Sequence, residues 1–81
     1  GSRVVSFEEA ETVFADENAL LLDDPEPSDV AQRFVLLGLS NRLHILVVAH
    51  TLRQAGVSIR VISARKATRQ EREQYFDRVM P

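Results

Sequence analysis

The pattern of apolar positions predicts a helix near the start of the chain. Ser6 and Glu9 have the spacing of a capping box, in which each side chain accepts a hydrogen bond from the other residue's backbone N–H. Apolar side chains then recur at spacings of three and four, at Phe7, Ala10, Val13 and Phe14. Such a stripe is typical of an amphipathic helix, and we expect about three turns before Asp16-Glu17-Asn18 ends it.

The next part of the chain predicts three strands. Ala19 to Leu22 is a short apolar run that predicts an edge strand, and two longer strands are expected at Gln32 to Leu39 and Leu43 to Thr51. Residues 23–29 contain two prolines and form a loop, because proline cannot donate a hydrogen bond inside a sheet. Ser40-Asn41-Arg42 predicts a tight hairpin turn.

A fourth strand and a second helix are predicted after a turn at Leu52 to Gly56. Strict alternation from Val57 places one set of residues on one face and the other set on the opposite face: Val57, Ile59, Val61 and Ser63, against Ser58, Arg60, Ile62 and Ala64. Thr68 and Glu71 form a second capping box, so a helix should run from Thr68 towards Met80, with Pro81 closing the chain.

The predicted fold class is α+β, with a four-stranded, mainly antiparallel meander flanked by an N-terminal and a C-terminal helix. Gly1-Ser2 resembles the remnant of an expression tag, and residues 3–81 are expected to form a single domain. Each central strand has one apolar face, expected to pack against the helices. The other face mixes apolar residues with Arg33, His44, His50 and Arg60. We interpret that face as a docking surface; the alternative is that these are ordinary solvated residues at strand ends.

The net charge of −2 conceals a strong asymmetry. Residues 1–32 carry nine acids and one base, whereas residues 33–81 carry nine Arg or Lys and three acids. Cations concentrate where the last strand passes into the last helix, at Arg60, Arg65, Lys66, Arg69 and Arg72. Because a helix N-terminus already has positive potential, this cluster predicts an anion site. The alternative is that the acidic and basic halves neutralise each other within the monomer.

Several classes of site and location are not expected. The chain has no cysteine, which excludes disulfides and thiolate metal sites and fits a cytoplasmic protein. No apolar run approaches the roughly 18 residues of a membrane span, and no signal peptide is visible, so we expect no membrane partner. His44 and His50 lack a carboxylate at a ligand-like spacing, so no metal site is predicted. Without a glycine-rich phosphate loop, no cofactor is expected.

Four stretches of the chain resemble the BrnT toxin family. They are V-S-F-E-E-A-E-T-V-F-A-D at Val5–Asp16, R-F-V-L-L-G-L-S at Arg33–Ser40, L-V-V-A-H-T at Leu46–Thr51, and I-R-V-I-S-A-R-K-A-T-R-Q-E-R-E-Q-Y at Ile59–Tyr75. The last is the most diagnostic. The resemblance implies a RelE-like fold and the toxin of a bacterial type II toxin–antitoxin system, a ribonuclease that inhibits translation. It also implies a DNA-binding, BrnA-type antitoxin as partner.

The start of the sequence departs from the family's pattern. The family normally opens with a strand carrying an F-E-W-D-like motif and a helix rich in Lys and Asn, and neither precedes Ser6 here. Their absence would leave an apolar sheet surface and a sheet edge uncovered. We hypothesise that a second chain fills the gap, by formation of a homodimer or by exchange of an element.

Metal-independent RNA cleavage needs a base for the 2′-hydroxyl proton, cations for the charge that develops on phosphorus, and an acid for the leaving oxygen. The predicted catalytic residues are His50, as base or acid, with Arg60, Arg65 and Lys66. The predicted RNA-binding residues are Arg33, Arg69, Arg72 and Tyr75. Packing on the sheet is the alternative for Tyr75, and a solvated helix face is the alternative for Arg69 and Arg72. Glu71 is expected to cap its helix, and His44 to be simply exposed.

Two function classes follow from these observations. The first is an RNA-cleaving toxin. The second is a non-catalytic, toxin-like module that only binds an antitoxin, in which case the basic cluster meets acidic partner residues. DNA binding by this subunit without antitoxin is not expected, since no helix-turn-helix or ribbon reader is evident.

Overall fold

A computed structural model describes residues 5–22, 33–53 and 58–80, with no side-chain description at residue 53. The expected tag remnant Gly1-Ser2, the proline loop, most of the turn after Leu52, the starts of two predicted strands at Gln32 and Val57, and Pro81 lie outside these residues. No helix in the described parts of the chain has the length and apolar character needed to cross a bilayer.

The observed elements confirm the predicted α+β class. Their bounds are α1 Phe7–Thr12, a 3-10 turn at Val13–Ala15, β1 Leu20–Leu22, β2 Phe34–Leu39, β3 Ile45–Arg53, β4 Ser58–Lys66 and α2 Arg69–Val79. The strands form one sheet in the order β1-β2-β3-β4, and each neighbouring pair is antiparallel. This is the predicted meander, and β1 and β4 are its edges among the described residues.

The two predicted capping boxes differ in the structure. In α2 the box is complete: Thr68 Oγ1 accepts from the Glu71 backbone N–H (3.2 Å), and the Thr68 N–H donates to Glu71 Oε1 (2.8 Å). In α1 only half of it forms, because Ser6 Oγ accepts from the Glu9 backbone N–H (3.1 Å) while the Glu9 carboxylate bonds to Ser40 and His44 instead. The α-helical part of this element is also shorter than expected, since a 3-10 turn replaces its end.

A β-bulge in β4 changes the predicted alternation. His50 pairs with Val61 but Ala49 pairs with Ser63, so Ile62 is the extra residue. Strict alternation through this stretch is therefore wrong. Because side chains opposite each other share a face of the sheet, Val61 and Ala64 fall on the same side, and Arg60 and Arg65 share the other.

The helices cover both faces of the sheet, which corrects the expectation of one open docking face. On one face α1 and the 3-10 turn pack on β3 through a cluster formed by Val5, Ala10, Val13, Leu46 and Val48. On the other face α2 packs through a cluster formed by Val35, Leu37, Ile45, Val47, Ala67 and Tyr75. Alternation along β3 assigns the two clusters to opposite sides.

One hydrogen-bond centre and one close approach fix the elements around β2. Asp16 Oδ2 accepts from the Leu39 backbone N–H (2.9 Å) and from the Tyr75 hydroxyl (2.6 Å), which joins the end of the 3-10 turn to β2 and α2. Gly38 lets the 3-10 turn approach, because a Cβ at this position would lie 2.8 Å from Val13 Cγ1. Burial alone would raise the pKa of Asp16, but the hydrogen bonds from Tyr75, Leu39 and Asn18 outweigh it and leave that pKa below its usual value.

Candidate active site

A cavity of about 340 Å³ lies where β3 begins, β4 ends and α2 starts. The residues that line it are Leu43, His44, Ile45, Lys66, Ala67, Arg72 and Phe76. Two cations, an imidazole and a half-exposed aromatic ring therefore meet in one concave site. Cations that can bind phosphate and an aromatic ring on which a base can stack are features of RNA-binding sites.

The strand-to-helix junction positions the two cations. Lys66 is the last residue of β4 and lies opposite Leu46, which places it on the α1 face of the sheet together with His44. The chain then leaves the sheet through Ala67, whose N–H donates to the Ile45 carbonyl (2.9 Å). Arg72 follows in the first turns of α2, which the Thr68 cap starts. Lys66 from the strand and Arg72 from the helix thus both line the cavity at this junction.

A bidentate ion pair holds α2 against β4 beside this cavity. Arg65 Nη1 and Nη2 donate to the two carboxylate oxygens of Glu71, at 2.7 and 2.9 Å. The hydrogen bond from Arg65 is the main reason that the pKa of Glu71 falls to about 2. Glu71 in turn raises the pKa of the Arg65 guanidinium. Arg65 therefore has a structural partner, and the predicted capping role of Glu71 is confirmed.

A second carboxylate points at the cavity's imidazole. Glu9 Oε2 lies 2.9 Å from His44 Nδ1 and accepts a hydrogen bond from Ser40 Oγ at 2.6 Å. The Glu9 residue is only 8% exposed, whereas the His44 side chain is 42% exposed. The Ser40 hydrogen bond, with that of His44, keeps the pKa of Glu9 below its usual value against the opposing effect of burial.

The β2–β3 turn fixes the position of His44. The Ser40 N–H donates to the His44 carbonyl (2.8 Å), and the Leu43 N–H donates to the Ser40 carbonyl (3.0 Å). Thr12 Oγ1 accepts from the Asn41 N–H (2.9 Å), which ties the turn to α1. Leu43 takes the left-handed conformation, with φ of 62°, to complete this turn.

The predicted catalytic histidine lies at the other end of the sheet. His50 is 5% exposed, its ring packs edge-on against Phe14 and stacks with Phe34, and its Nδ1 lies 3.4 Å from the Val48 carbonyl. Burial lowers the pKa of His50, which favours the neutral form of the imidazole. These contacts are those of a core residue.

The structure does not bring all the predicted cations together. Arg60 lies opposite Thr51 and Lys66 opposite Leu46, so the two are five β3 residues apart, roughly 17 Å along the strand. Arg33 immediately precedes β2 at the same end as Arg60. His50 and Arg60 occupy opposite faces, because Arg60 pairs with the residue after His50. The catalytic roles of His50 and Arg60 and the RNA-binding role of Arg33 stay predictions from the sequence.

The remaining predicted RNA-binding residues have different environments. Arg69 is highly exposed, with its Nε 3.5 Å from Glu73 Oε1 one turn further along α2. Tyr75 is 4% exposed and donates to Asp16, so its ring packs in the core, and this burial is the main reason that its pKa rises to about 12. Of that predicted group, only Arg72 lines the cavity.

Sequence reasoning missed Glu9, His44 and Phe76. The capping-box spacing of Glu9 predicts a local structural role. From the sequence, Glu9 cannot be distinguished from Glu71, because the difference lies in the residues that each side chain faces. His44 belongs to the mixed face of β3, but nothing local shows that α1 brings a carboxylate to it from 35 residues away. A signal does exist for Phe76, since it lies one helical turn after Arg72 on the same side of α2.

Comparison with known protein families identifies the chain. The model of the family described as "Ribonuclease toxin, BrnT, of type II toxin-antitoxin system" matches residues 2–71. The chain belongs to the BrnT toxin family. A comparison with individual curated proteins gives no match. The matched range contains Glu9, His44 and Lys66, while Arg72 and Phe76 follow it. As a member of a type II toxin family, this BrnT chain has an antitoxin as its partner.

Proposed function

We propose that this BrnT chain is an endoribonuclease that inhibits translation by cutting RNA and is neutralised by a BrnA-type antitoxin. The observation that supports the proposal is the cavity at the β4–α2 junction, where Lys66 and Arg72 present positive charge beside an exposed imidazole and the Phe76 ring. Phosphate binds between the two cations, and a neighbouring base stacks on Phe76.

The reaction class follows from the side chains available. Within residues 5–22, 33–53 and 58–80, no three His, Asp or Glu side chains come together in a group that could hold a metal ion. Cleavage by attack of the 2′-hydroxyl on the adjacent phosphorus needs only fixed cations and a proton acceptor. Lys66 and Arg72 stabilise the additional negative charge in the transition state. Arg65 acts indirectly, through the Glu71 pair that holds the start of α2 in place.

The experiment is cleavage of a labelled, single-stranded RNA of mixed sequence by the purified chain with EDTA present. Lys66→Ala and Arg72→Ala are expected to lower kcat/KM about 100-fold each, the usual cost of removing one donor to transition-state charge. Arg78→Ala is the matched control: it removes the same charge from the same helix, but Arg78 bonds to the Asn18 carbonyl, away from the cavity. Its rate should equal that of the unmodified chain.

Two results would contradict the proposal. One is absence of cleavage by the unmodified chain. The other is equal loss of activity in Arg72→Ala and Arg78→Ala, which would indicate a dependence on helix charge without a defined site. Addition of a BrnA-type antitoxin at equimolar concentration should suppress cleavage, and the translation defect should follow the same series of variants in a cell-free system.

One observation favours a second candidate function, that of a partner-binding module without catalysis. The end of α2 exposes three apolar side chains at helical spacing, with Phe76 43%, Val79 38% and Met80 67% exposed. Contiguous exposed apolar groups mark protein-binding surfaces. Antitoxin binding that depends on these residues, in a chain that cuts no RNA, would establish this alternative in place of the ribonuclease.

A further inference from the structure

The Glu9–His44 pair lies beside the phosphate-binding cations, and binding of phosphate does not require it. We propose that His44 is the catalytic base that removes the 2′-hydroxyl proton of RNA, and that Glu9 is the residue that positions its imidazole. This inference rests on the proposed ribonuclease function and goes beyond it, because it assigns the proton transfer to a particular atom.

The hydrogen bond between the pair defines which ring nitrogen can act. Glu9 Oε2 is 2.9 Å from His44 Nδ1, so a carboxylate at this position favours the tautomer with hydrogen on Nδ1. In the neutral ring the lone pair is then on Nε2. The His44 side chain is 42% exposed and lines the cavity with Lys66 and Arg72, so a bound RNA can reach it.

The surroundings of Glu9 favour its charged form and hold its carboxylate by hydrogen bonds. Its carboxylate is buried, and Ser40 Oγ donates to the same oxygen that faces His44, at 2.6 Å. A buried carboxylate is stable only when it is hydrogen-bonded or paired, and here Ser40 and His44 both form hydrogen bonds with it. A fixed negative charge beside Nδ1 stabilises the imidazolium that forms when Nε2 accepts a proton.

Glu71 at the start of α2 provides a comparison for the contacts of Glu9. Glu71 occupies the same capping-box position in α2 that Glu9 occupies in α1, and Glu71 does close its box onto the Thr68 N–H. Glu9 gives up that local bond for contacts with Ser40 and His44, 31 and 35 residues away. These contacts tie the hairpin turn to α1, and they also orient the only imidazole that lines the cavity.

The proposed step conserves atoms and charge. The 2′-oxygen attacks the adjacent phosphorus and forms the new P–O bond, its proton passes to His44 Nε2, and the bond from phosphorus to the 5′-oxygen breaks. The 5′-oxygen takes a proton from water, and His44 returns its proton to solvent. The products are a 2′,3′-cyclic phosphate and a 5′-hydroxyl, and no oxidant, reductant or metal is consumed.

The test is measurement of kcat and KM for the same labelled RNA, with His44→Ala, His44→Gln and Glu9→Gln variants and EDTA present. His44→Ala should lose about 10²- to 10⁴-fold in kcat/KM, the usual contribution of a general base. Added imidazole should restore part of that loss. A 2′-O-methyl version of the oligonucleotide, which cannot be cut, should bind the His44 variants as tightly as the unmodified chain. This binding control separates catalysis from folding.

Glu9→Gln has a readout that a purely structural role would not change. Replacing the carboxylate by a neutral amide removes the charge beside Nδ1 but keeps the size of the side chain, so kcat should fall while KM and binding of the 2′-O-methyl oligonucleotide stay unchanged. The fall in kcat should be smaller than in His44→Ala, and Glu9→Asp, which keeps the charge, should restore part of it.

Each contrary outcome is distinct. Cleavage by the unmodified chain together with full activity of both His44 variants overturns the inference and leaves the proposed function standing. No cleavage by the unmodified chain overturns both. An unchanged kcat in Glu9→Gln overturns the positioning role of Glu9. Loss of cleavage in His50→Gln but not in His44→Gln would return the base to His50.

Discussion

At the scale of single residues, Leu43 is the clearest strained position. It combines φ of 62° with 78% exposure, so a β-carbon is held in the left-handed region with little packing in return. Replacement by Gly relieves about 1–2 kcal/mol of backbone strain and loses part of that through the greater freedom of the unfolded chain. We expect Leu43→Gly to raise the free energy of unfolding by about 0.5–1 kcal/mol in urea titrations.

Leu43→Ala is the matched control for this prediction. It removes the same exposed side chain but keeps a β-carbon, so its stability should stay close to that of the unmodified chain. Equal stabilisation by Gly and Ala would show that side-chain removal, and not backbone strain, is responsible.

The contacts of a residue can be predicted from the sequence when its partners are close along the chain. Ser6, Thr68 and Glu71 are placed correctly because their hydrogen bonds span three residues. Glu9 and His44 meet across the fold, and no sequence pattern carries that contact. The burial of His50 was likewise not predictable: its residue type suggests catalysis, and its contacts with Phe14 and Phe34 are visible only in the packing.

At the scale of elements, the junction of β4 and α2 depends on the Arg65–Glu71 pair. The pKa of Glu71 is depressed to about 2, so its charged form stabilises the fold, and this stabilisation is present above the unfolded pKa of about 4.5. It is lost as pH falls from about 5 towards 2. Since the Arg65 side chain is 54% exposed, we expect Glu71→Gln to cost about 1–2 kcal/mol at neutral pH, after allowance for solvent screening.

The measurement for the Arg65–Glu71 pair is the free energy of unfolding of the unmodified chain and of Glu71→Gln, from neutral pH down to about pH 2. Glu9 and Asp16 also have lowered pKa values, so their contributions to the stability of the fold are lost in acid too. Both contributions are present in the unmodified chain and in Glu71→Gln, so the difference between the two stability curves isolates Glu71. The difference should shrink to near zero at the acid end. A constant difference at all pH values would show that the loss is one of packing or capping and not of charge.

The elements themselves were largely predictable, and the exceptions have physical causes. Periodicity and capping gave the order of helices and strands, because both are short-range properties. The bulge at Ile62 was not predictable, since it is defined by pairing with β3 and not by the composition of β4. It also decides that Arg60 and Arg65 share a face, which strict alternation would deny.

At the scale of the whole molecule, the charge asymmetry separates into distinct local structures. The Glu9 carboxylate forms hydrogen bonds with Ser40 and His44. The Asp16 carboxylate accepts hydrogen bonds from Leu39 and Tyr75. Lys66 and Arg72 instead line an open cavity. Within the described residues, the basic half therefore presents two cations at a cavity that an anion could enter, and neutralisation within the monomer stays the alternative. Association with a second copy stays a prediction.

The measurement that tests the central claim most directly is amide chemical-shift mapping of the ¹⁵N-labelled chain with a 2′-O-methyl RNA oligonucleotide. The account predicts the largest, saturable changes at residues 43–46 and 66–72, with smaller changes near His50, Thr51 and Arg60. Changes centred on His50, Thr51 and Arg60, with none at the β4–α2 junction, would contradict it and move the RNA site to the opposite end of the sheet.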